Sequence, residues 1–473
     1  MTAPHDSEPR VPMDFEARMS DSDALMWSIE KDPLLRSTIT SVFVLDRAPD
    51  RDRFRRRMDR VSRVIPRLRQ RVLGHPLSVA PPRWEIDPNF DLSYHLRWVR
   101  TVDEGTLREV LAIAEPVAMQ GFDRARPLWE FVVVEGLAEG RAAVIAKIHH
   151  SITDGVGGVA LMMELLDLER DPADDGPLPP APQAREPTEV ERWVDAVSYE
   201  ARRQLGGLRA TAADAAQHAG RLLADPVGVG MDALRQAGSL ARLLRPATEP
   251  LSPLMRRRSL SVRFDTLRVE LGPMKAASKL VAGKLNDAFV AAVAGGLRRY
   301  HRHHGVDVDE LRMTMPINVR TVSTARRAGN QFVPARFCVP VGIADPIKRM
   351  SAVRELVEQQ RAEPALAMTD GLANVLNRLP TTATTGIFGA MLKGVDFITS
   401  NVPGAPVPVY LGGGLVESHV AFGPMTGAAA NITLLSYLED LNIGITSDPA
   451  AVPDPEVFVD CLRDGFEEIT KLV

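Results

Sequence analysis

Short, nearly uninterrupted apolar runs alternate along this chain with longer stretches whose apolar residues recur three or four positions apart. The first kind has the length and β-branched content of buried strands, the second the period of helices that pack on one face. Residues 142–148 (Ala-Ala-Val-Ile-Ala-Lys-Ile) predict one strand, and 128–134 (Leu-Trp-Glu-Phe-Val-Val-Val), opened by Pro127, predict another. Gly155, Gly157 and Gly158 then make a tight loop into a helical pattern over 159–166, and 288–294 form a strong helical run. Further strand-like segments lie near 260–270, 311–317, 336–342, 395–400 and 431–446.

The pattern changes twice. Residues 171–187, rich in Pro, Asp and Ala, mark a boundary, and from 188 to about 244 the chain is helical and poor in strand signals, with Trp193, Val197, Leu205 and Leu208 among Ala, Arg and Gln. A proline-containing stretch over 246–253 closes it. The expectation is an α/β chain in three parts: 1–170 with a sheet and the principal motif, 171–255 as boundary and helical connector, and 256–473 with a second sheet.

Composition sets the outer limits. At 473 residues and 45% hydrophobic content there is length for two or three domains, and a net charge of −4 excludes nucleic-acid binding by bulk charge. No run of 18 apolar residues occurs and residues 1–8 lack the apolar core of a signal peptide, so a cytoplasmic chain without a membrane span is expected. Cys338 and Cys461 cannot build a disulfide framework and point to a reducing compartment. No Gly-x-Ser-x-Gly elbow is present, which weighs against a serine esterase.

The most telling chemistry follows the 142–148 strand: His149-His150-Ser151-Ile152-Thr153-Asp154-Gly155. Successive strand side chains point to opposite faces, so His149 and His150 divide their tasks, one toward a cavity and one toward packing. A single histidine at a strand end suits general-base catalysis, because imidazole titrates near pH ~6.5 and such a base supplies about 10² to 10⁴ in rate. His150 is the candidate base. Asp154 is a brace that turns the loop back beneath it and pairs with a cation. Metal binding is disfavoured, since adjacent strand histidines diverge and chelating spacings are absent.

Other motifs carry both a structural and a functional reading. Asn286-Asp287 opens the 288–294 helix and serves as a cap. Trp129 is either core or substrate wall. Asn401-Val402-Pro403-Gly404 has the composition of a β-turn, with Pro and Gly at its central positions. The cluster Arg298, Arg299, His301, Arg302, His303 and His304 before Gly305 fits cations at a helix C-terminus better than a metal or phosphate site.

Together, the histidine motif, Pro127-Leu128-Trp129-Glu130, Asn286-Asp287, Pro316-Ile317-Asn318-Val319-Arg320, Gly329-Asn330 and Asn401-Val402-Pro403-Gly404 resemble the bacterial wax ester synthase/acyl-CoA:diacylglycerol acyltransferase family. This is a branch of the CoA-dependent acyltransferase superfamily, which also holds chloramphenicol acetyltransferase and peptide-synthetase condensation domains. The match runs from about residue 19 to the C-terminus. It departs at Ala405, where the family commonly has proline directly after the glycine; here Pro406 follows one residue later.

The resemblance implies two chloramphenicol-acetyltransferase-like domains, each a mixed sheet flanked by helices, with the active site in a tunnel between them. It implies His150, His149 and Asp154 as catalytic residues and Asn286, Trp129 and Gly155 as substrate contacts. Arg320 is the candidate partner of Asp154, with Asp287 a second structural brace. Acyl-CoA is then a substrate and no cofactor or metal has a task. The acceptor is diacylglycerol or a long-chain alcohol. Two other readings stay open: a condensation-type transferase with another alcohol or an amine as acceptor, and a catalytically silent lipid binder of the same fold.

Such substrates are oily, so peripheral contact with a membrane or lipid droplet is expected. Two segments could make it. Residues 51–71 carry ten arginines, with Phe54, Met58, Val61 and Ile65 at helical spacing, a pattern able to meet anionic lipid or CoA phosphates and equally able to form a solvated face on the protein's own core. The connector over 188–244 is the other.

Overall fold

The computed structural model describes residues 15–74, 80–152, 158, 161–162, 164–173, 176–185, 187–224, 231, 238, 247, 249–318, 332–361 and 381–473. In chain order its main elements are α1 (Asp21–Ile29), β1 (Thr38–Leu45), α2 (Arg51–Val64), β2 (Gln70–Leu73), β3 (Arg83–Ile86), β4 (Leu96–Arg100), α3 (Leu107–Met119), β5 (Trp129–Glu135), β6 (Ala142–His149) and α4 (Glu189–Ala224). There follow β7 (Arg263–Glu270), α5 (Leu271–Lys279), α6 (Leu285–His303), β8 (Glu310–Asn318), β9 (Phe332–Pro340), α7 (Pro346–Arg361), α8 (Thr381–Leu392), β10 (Phe397–Val402), β11 (Tyr410–Leu411), β12 (Gly414–Phe422), β13 (Ala430–Tyr437), β14 (Asp440–Ser447) and α9 (Pro455–Thr470).

Two six-stranded mixed sheets organise these elements, with helices against them, as the α/β reading requires. The first has the order β11-β12-β1-β6-β5-β4, with β4 and β5 parallel and the other pairs antiparallel. The second runs β7-β14-β13-β10-β8-β9, with β10 parallel to both its neighbours. Strands β5 and β6 are buried almost throughout, which is why their sequences read as continuous apolar runs rather than alternations. On β6, Val144, Ala146 and Ile148 pack with Phe54 and Met58 of α2, while Ala143 and Ile145 pack with Val110, Leu111 and Ala114 of α3. Helix α3 begins in a capping box between Thr106 and Glu109.

Strand β12 was not among the sequence expectations. Glu417, Ser418 and His419 interrupt its apolar run, so it lacks a clean period of two. It leaves the C-terminal half and pairs with β1, completing the first sheet: Thr40 lies opposite Phe422, and Val42 opposite Val420. The halves are thus stitched together by backbone hydrogen bonds as well as side chains. Phe422 stacks on Phe264 of β7 at 4.1 Å, and Arg108 of α3 donates to the Phe264 carbonyl at 2.5 Å. At Gly444 of β14 an added Cβ would stand 2.0 Å from the Ala421 carbonyl oxygen, so only glycine lets β14 and β12 approach this closely.

The arginine-rich helix α2 turns out to hold the chain to itself. Arg53 and Arg57 meet Asp167 at 3.3 and 3.4 Å, and Arg53 also reaches Asp171. Arg60 donates to the carbonyls of Gly176 and Pro177, and Arg63 to that of Pro179. Arg51 pairs with Glu135, and Arg63 and Arg69 with Asp59. Most of these arginines therefore fasten the 167–179 segment or neighbouring elements. Each exposed pair contributes only about 0–1 kcal/mol, but together they fix the route of the boundary segment.

The Arg/His cluster ending α6 is likewise structural. His301 is buried, its Nδ1 2.8 Å from the Leu297 carbonyl and its Nε2 2.7 Å from Ser252 Oγ; His304 pairs with Asp454 and Arg299 with Glu468. Gly305 ends the helix at a φ of 72°. No group of three metal-ligating side chains occurs among the described residues. None of the helices searched is long and apolar enough to cross a membrane.

Candidate active site

The two adjacent histidines stand at the end of β6, where the strand breaks into a turn closed by the Ile152 N–H on the His149 carbonyl at 3.0 Å. Both backbone positions are fixed: the His149 N–H donates to the Leu128 carbonyl and the His150 N–H to the Ser37 carbonyl, at 3.0 and 2.8 Å. His149 is paired in register with Thr38 of β1. Its side chain continues the row of Ile145 and Lys147.

His149 is fully buried. Its Nδ1 accepts from the Ser151 N–H at 3.0 Å and lies 2.7 Å from Ser151 Oγ. That bond fixes the tautomer, leaving the proton on Nε2, which faces Glu30 Oε1 at 2.9 Å. Trp27 and Phe122 meet the ring edge-on at 5.5 and 5.9 Å. Glu30 follows the last turn of α1. Burial alone would raise its pKa, but the His149 ring, the Ser37 N–H and the Arg124 guanidinium together hold it below the usual glutamate range. Both ring nitrogens of His149 are thus engaged by protein. His150 is the first residue of the turn after β6 and is half-buried.

A consequence of this geometry is testable by acid titration. Glu30→Gln keeps acceptor oxygen near Ser37 and His149 while removing the charge, so it is expected to cost about 1 kcal/mol, the difference between a charged and a neutral hydrogen bond. Because the folded pKa of Glu30 is depressed, its stabilisation is present above the unfolded value of about 4.3 and is lost as pH falls through the folded one. Denaturant midpoints of wild type and variant should therefore differ at pH 7 and converge only as pH falls through the depressed folded pKa. A gap that persists in acid would contradict the assignment.

Beside His149, on the same face, lies a buried network that the motif did not announce. Lys147 is fully buried, its ammonium 3.5 Å from Glu130 Oε1 and 4.3 Å from the centre of the Phe122 ring. Glu130 also meets Arg97 at 3.3 Å. Burial lowers the Lys147 pKa, and Glu130 opposes that shift.

The remaining candidates fall at different depths. Trp129 is fully buried on the opposite face of the sheet; its indole N–H donates to the Leu68 carbonyl at 2.7 Å and its ring stacks on His95 at 4.5 Å. It packs beneath the histidine strand. Asp287 is buried and its carboxylate accepts the Lys284 N–H at 2.7 Å, the capping role foreseen for it. Asn286, beside it and half-buried, reaches Met315 Sδ on β8 with its amide at 3.4 Å, so the start of α6 is tied to the strand that leads into the 316–320 motif. Asp154, Gly155, Arg320 and the Gly329-Asn330 pair lie outside the described residues.

The β-turn expected at Pro403-Gly404 does not form. Asn401 and Val402 complete β10, no turn is found at Pro403 or Gly404, and Gly404 lacks the positive φ that a type II turn demands. Glycine is required there for a different reason. A Cβ would stand 2.0 Å from the Ser436 carbonyl oxygen, because this loop lies directly on β13.

A small cleft opens between the halves, lined by Arg36, Thr38 and Thr40 on one side and by Arg258, Thr446 and Asp448 on the other. Thr38 is the register partner of His149. The hydroxyls of Thr40 and Thr446 are buried and, among the described residues, have no hydrogen-bond partner, so a polar group entering the cleft would find two of them waiting.

Comparison with known proteins places this arrangement. The model of the wax ester synthase/diacylglycerol acyltransferase catalytic domain matches residues 19–289, and that of the family's C-terminal domain matches 328–470. A Mycobacterium tuberculosis H37Rv protein assigned by name to the diacylglycerol O-acyltransferases is 39% identical over 460 residues, covering 96% of this chain and 93% of its own. A second protein from that strain, named in the same way, is 28% identical over 475 residues and 96% of each chain. Among solved structures, the wax ester synthase/diacylglycerol acyltransferase from Marinobacter aquaeolei VT8 aligns with a TM-score of 0.63 at 18% identity, over 96% of this chain and 98% of that one. The starter condensation domain of rhizomide synthetase, solved with C8-CoA and Leu-SNAC, aligns with a TM-score of 0.58 at 15% identity, over 96% and 94%. These structural likenesses establish a shared two-domain, chloramphenicol-acetyltransferase-like fold.

Proposed function

Because the chain belongs to the wax ester synthase/diacylglycerol acyltransferase family and is an acyl-CoA-dependent O-acyltransferase, we propose that it moves a long-chain acyl group from acyl-CoA to the hydroxyl of diacylglycerol, and also to that of a long-chain alcohol. The products are triacylglycerol and wax ester. One observation carries the mechanistic part of the reading. His149 is fully buried with Nδ1 on Ser151 and Nε2 facing Glu30, a packing position, and we assign the substrate-facing role to His150, half-buried where the strand ends.

His150 takes the proton from the acceptor hydroxyl as its oxygen attacks the thioester carbonyl. The tetrahedral intermediate then collapses, the carbon–sulfur bond breaks, and the proton passes from His150 to the departing CoA thiolate. Net atoms balance with no acyl-enzyme and no redox step, so the scheme gives a metal or redox cofactor no task. Rate comes from aligning two substrates, stabilising the oxyanion and moving one proton. His149 positions the strand end. Asp154, paired with Arg320, braces the loop, Gly155 lets it approach substrate, and Asn286 at the start of α6 contacts the thioester carbonyl or the acceptor. With substrates this oily, the enzyme works at the cytoplasmic surface of the membrane or of lipid droplets.

CoA thiol release from palmitoyl-CoA, measured with dipalmitoylglycerol, hexadecanol, a long-chain amine or no acceptor, tests this directly. Release that depends on either alcohol, with the matching ester recovered, is expected. Release with the amine alone would indicate a condensation-type transferase. Tight acyl-CoA binding without release would indicate a lipid binder.

A further inference from the structure

Helix α4, which begins the connector, is attached to the first half by its polar side. A capping box sets its start: Thr188 Oγ1 accepts from the Glu191 N–H at 3.2 Å, and Glu191 Oε2 accepts from the Thr188 N–H at 2.8 Å. Arg192 meets Glu85 at 3.4 Å, Asp195 meets Arg18 and Arg83 at 2.5 and 2.8 Å, and Arg203 pairs with Asp21. Arg18 also lies over the Tyr199 ring. At about 100° per residue, Arg192, Asp195, Tyr199 and Arg203 share one face, with Ala196 buried among them.

The opposite face carries Val190, Trp193, Val194, Val197 and Leu205, a stripe at helical spacing, and all five are exposed, Val190 at 71% and Trp193 at 58%. A surface helix ordinarily turns its apolar stripe to the core and its charges to water. This one does the reverse. Of the other four tryptophans, Trp27, Trp84 and Trp129 are buried and Trp98 is half-buried.

We propose that this stripe docks the enzyme on a lipid layer of low charge, sinking Trp193 and the valines into the boundary between headgroups and acyl chains. The proposal rests on the acyltransferase reading, which supplies the oily acceptor that such a layer would carry. Size separates a lipid layer from a second protein. From Val190 to Leu205 the stripe is about 22 Å long and the helix about 10 Å wide, a footprint of roughly 220 Å². A stable protein interface needs about 800 Å² per partner, whereas an interfacial helix need only bury its apolar face about 5–10 Å deep. Charge selects the kind of lipid. Exposed Glu189 and Glu191 flank the stripe along with Arg185, Arg202 and Arg209, so among the described residues no basic face draws it to anionic headgroups, and most of the arginines of α2 are engaged within the chain.

Flotation of the full-length protein with phosphatidylcholine vesicles, with and without diacylglycerol, tests the assignment alongside the triple variant Trp193→Ser/Val194→Ser/Val197→Ser. Wild type should float, with little response to 0.5 M salt or to added phosphatidylglycerol, and the variant should partition at least tenfold less. Brominated lipid should quench wild-type fluorescence and leave Trp193→Phe unquenched while that variant still floats. Both proteins should release CoA equally with hexanol in solution, which shows the variant folded and separates this result from the acyltransferase reading. Equal flotation of the triple variant would overturn the proposal. So would binding that needs anionic lipid, or a change of oligomeric state in place of lost flotation. Flotation through the stripe with no acyl transfer to any acceptor would refute the enzymatic reading and leave the docking surface standing.

Discussion

His150→Ala is expected to lower acyl transfer by about 10² to 10⁴ while changing stability by no more than about 1 kcal/mol. The ring is half-buried in the turn after β6, and under this assignment its loss chiefly removes a proton acceptor. His149→Ala should behave in the opposite order. It empties a fully buried site and strips Glu30 and Ser151 of their shared partner, so unfolding should come at lower denaturant, and any loss of turnover should track loss of folded protein. Turnover and denaturant midpoints measured on the two variants together check the division of labour. If His149→Ala is fully stable and inactive while His150→Ala is active, the roles are reversed.

Trp129→Ala should give the largest loss of stability, about 3–5 kcal/mol, because it removes a fully buried indole from a close-packed core. The same change leaves the Leu68 carbonyl without its donor and uncovers His95. Trp129→Phe retains most of the volume and loses chiefly the hydrogen bond, about 0.5–1.5 kcal/mol. The measurement is guanidinium unfolding of the three proteins, with KM for acyl-CoA recorded in parallel. A wall residue facing substrate would instead shift KM and chain-length preference in the alanine variant with little change in the midpoint. The geometry gives packing, since both the ring face and the N–H are taken up by the protein.

Much of this arrangement could be read from the chain because its determinants are local. The strand before the histidines, the helix after Asn286 and the later strands show in runs of a few residues, where period and composition decide. β8, β10, β13 and β14 fall where strand-like segments were expected, the last two as a hairpin within the 431–446 segment. What the sequence hid depends on partners far along the chain. Glu30 is 119 positions from His149 and sits in no motif, so nothing local marks it as the acceptor for Nε2. β12 belongs to one half and pairs in the other, and neighbouring residues carry no trace of that.

One signal was present and could have been used. Lys147 is the lone charge in an otherwise apolar strand and Glu130 the one buried acid of the strand beside it, and a charge in a buried strand calls for a partner. The Pro403-Gly404 turn failed for a related reason. Its composition fits a turn in isolation, but the carbonyl of Ser436 reserves the place of the glycine Cβ, and β10 runs on to Val402 beside β13.

The central claim is direct transfer from CoA to a hydroxyl, assisted by one histidine. Its most direct test is a single turnover: excess enzyme, palmitoyl-CoA labelled in the acyl group, and dipalmitoylglycerol, quenched at short times and divided into lipid and protein fractions. The account predicts that label moves from acyl-CoA to triacylglycerol in step with CoA release, never accumulates on protein, and stays on acyl-CoA in the His150→Ala variant. Label bound to protein before product forms, or equal transfer by His150→Ala, would contradict it.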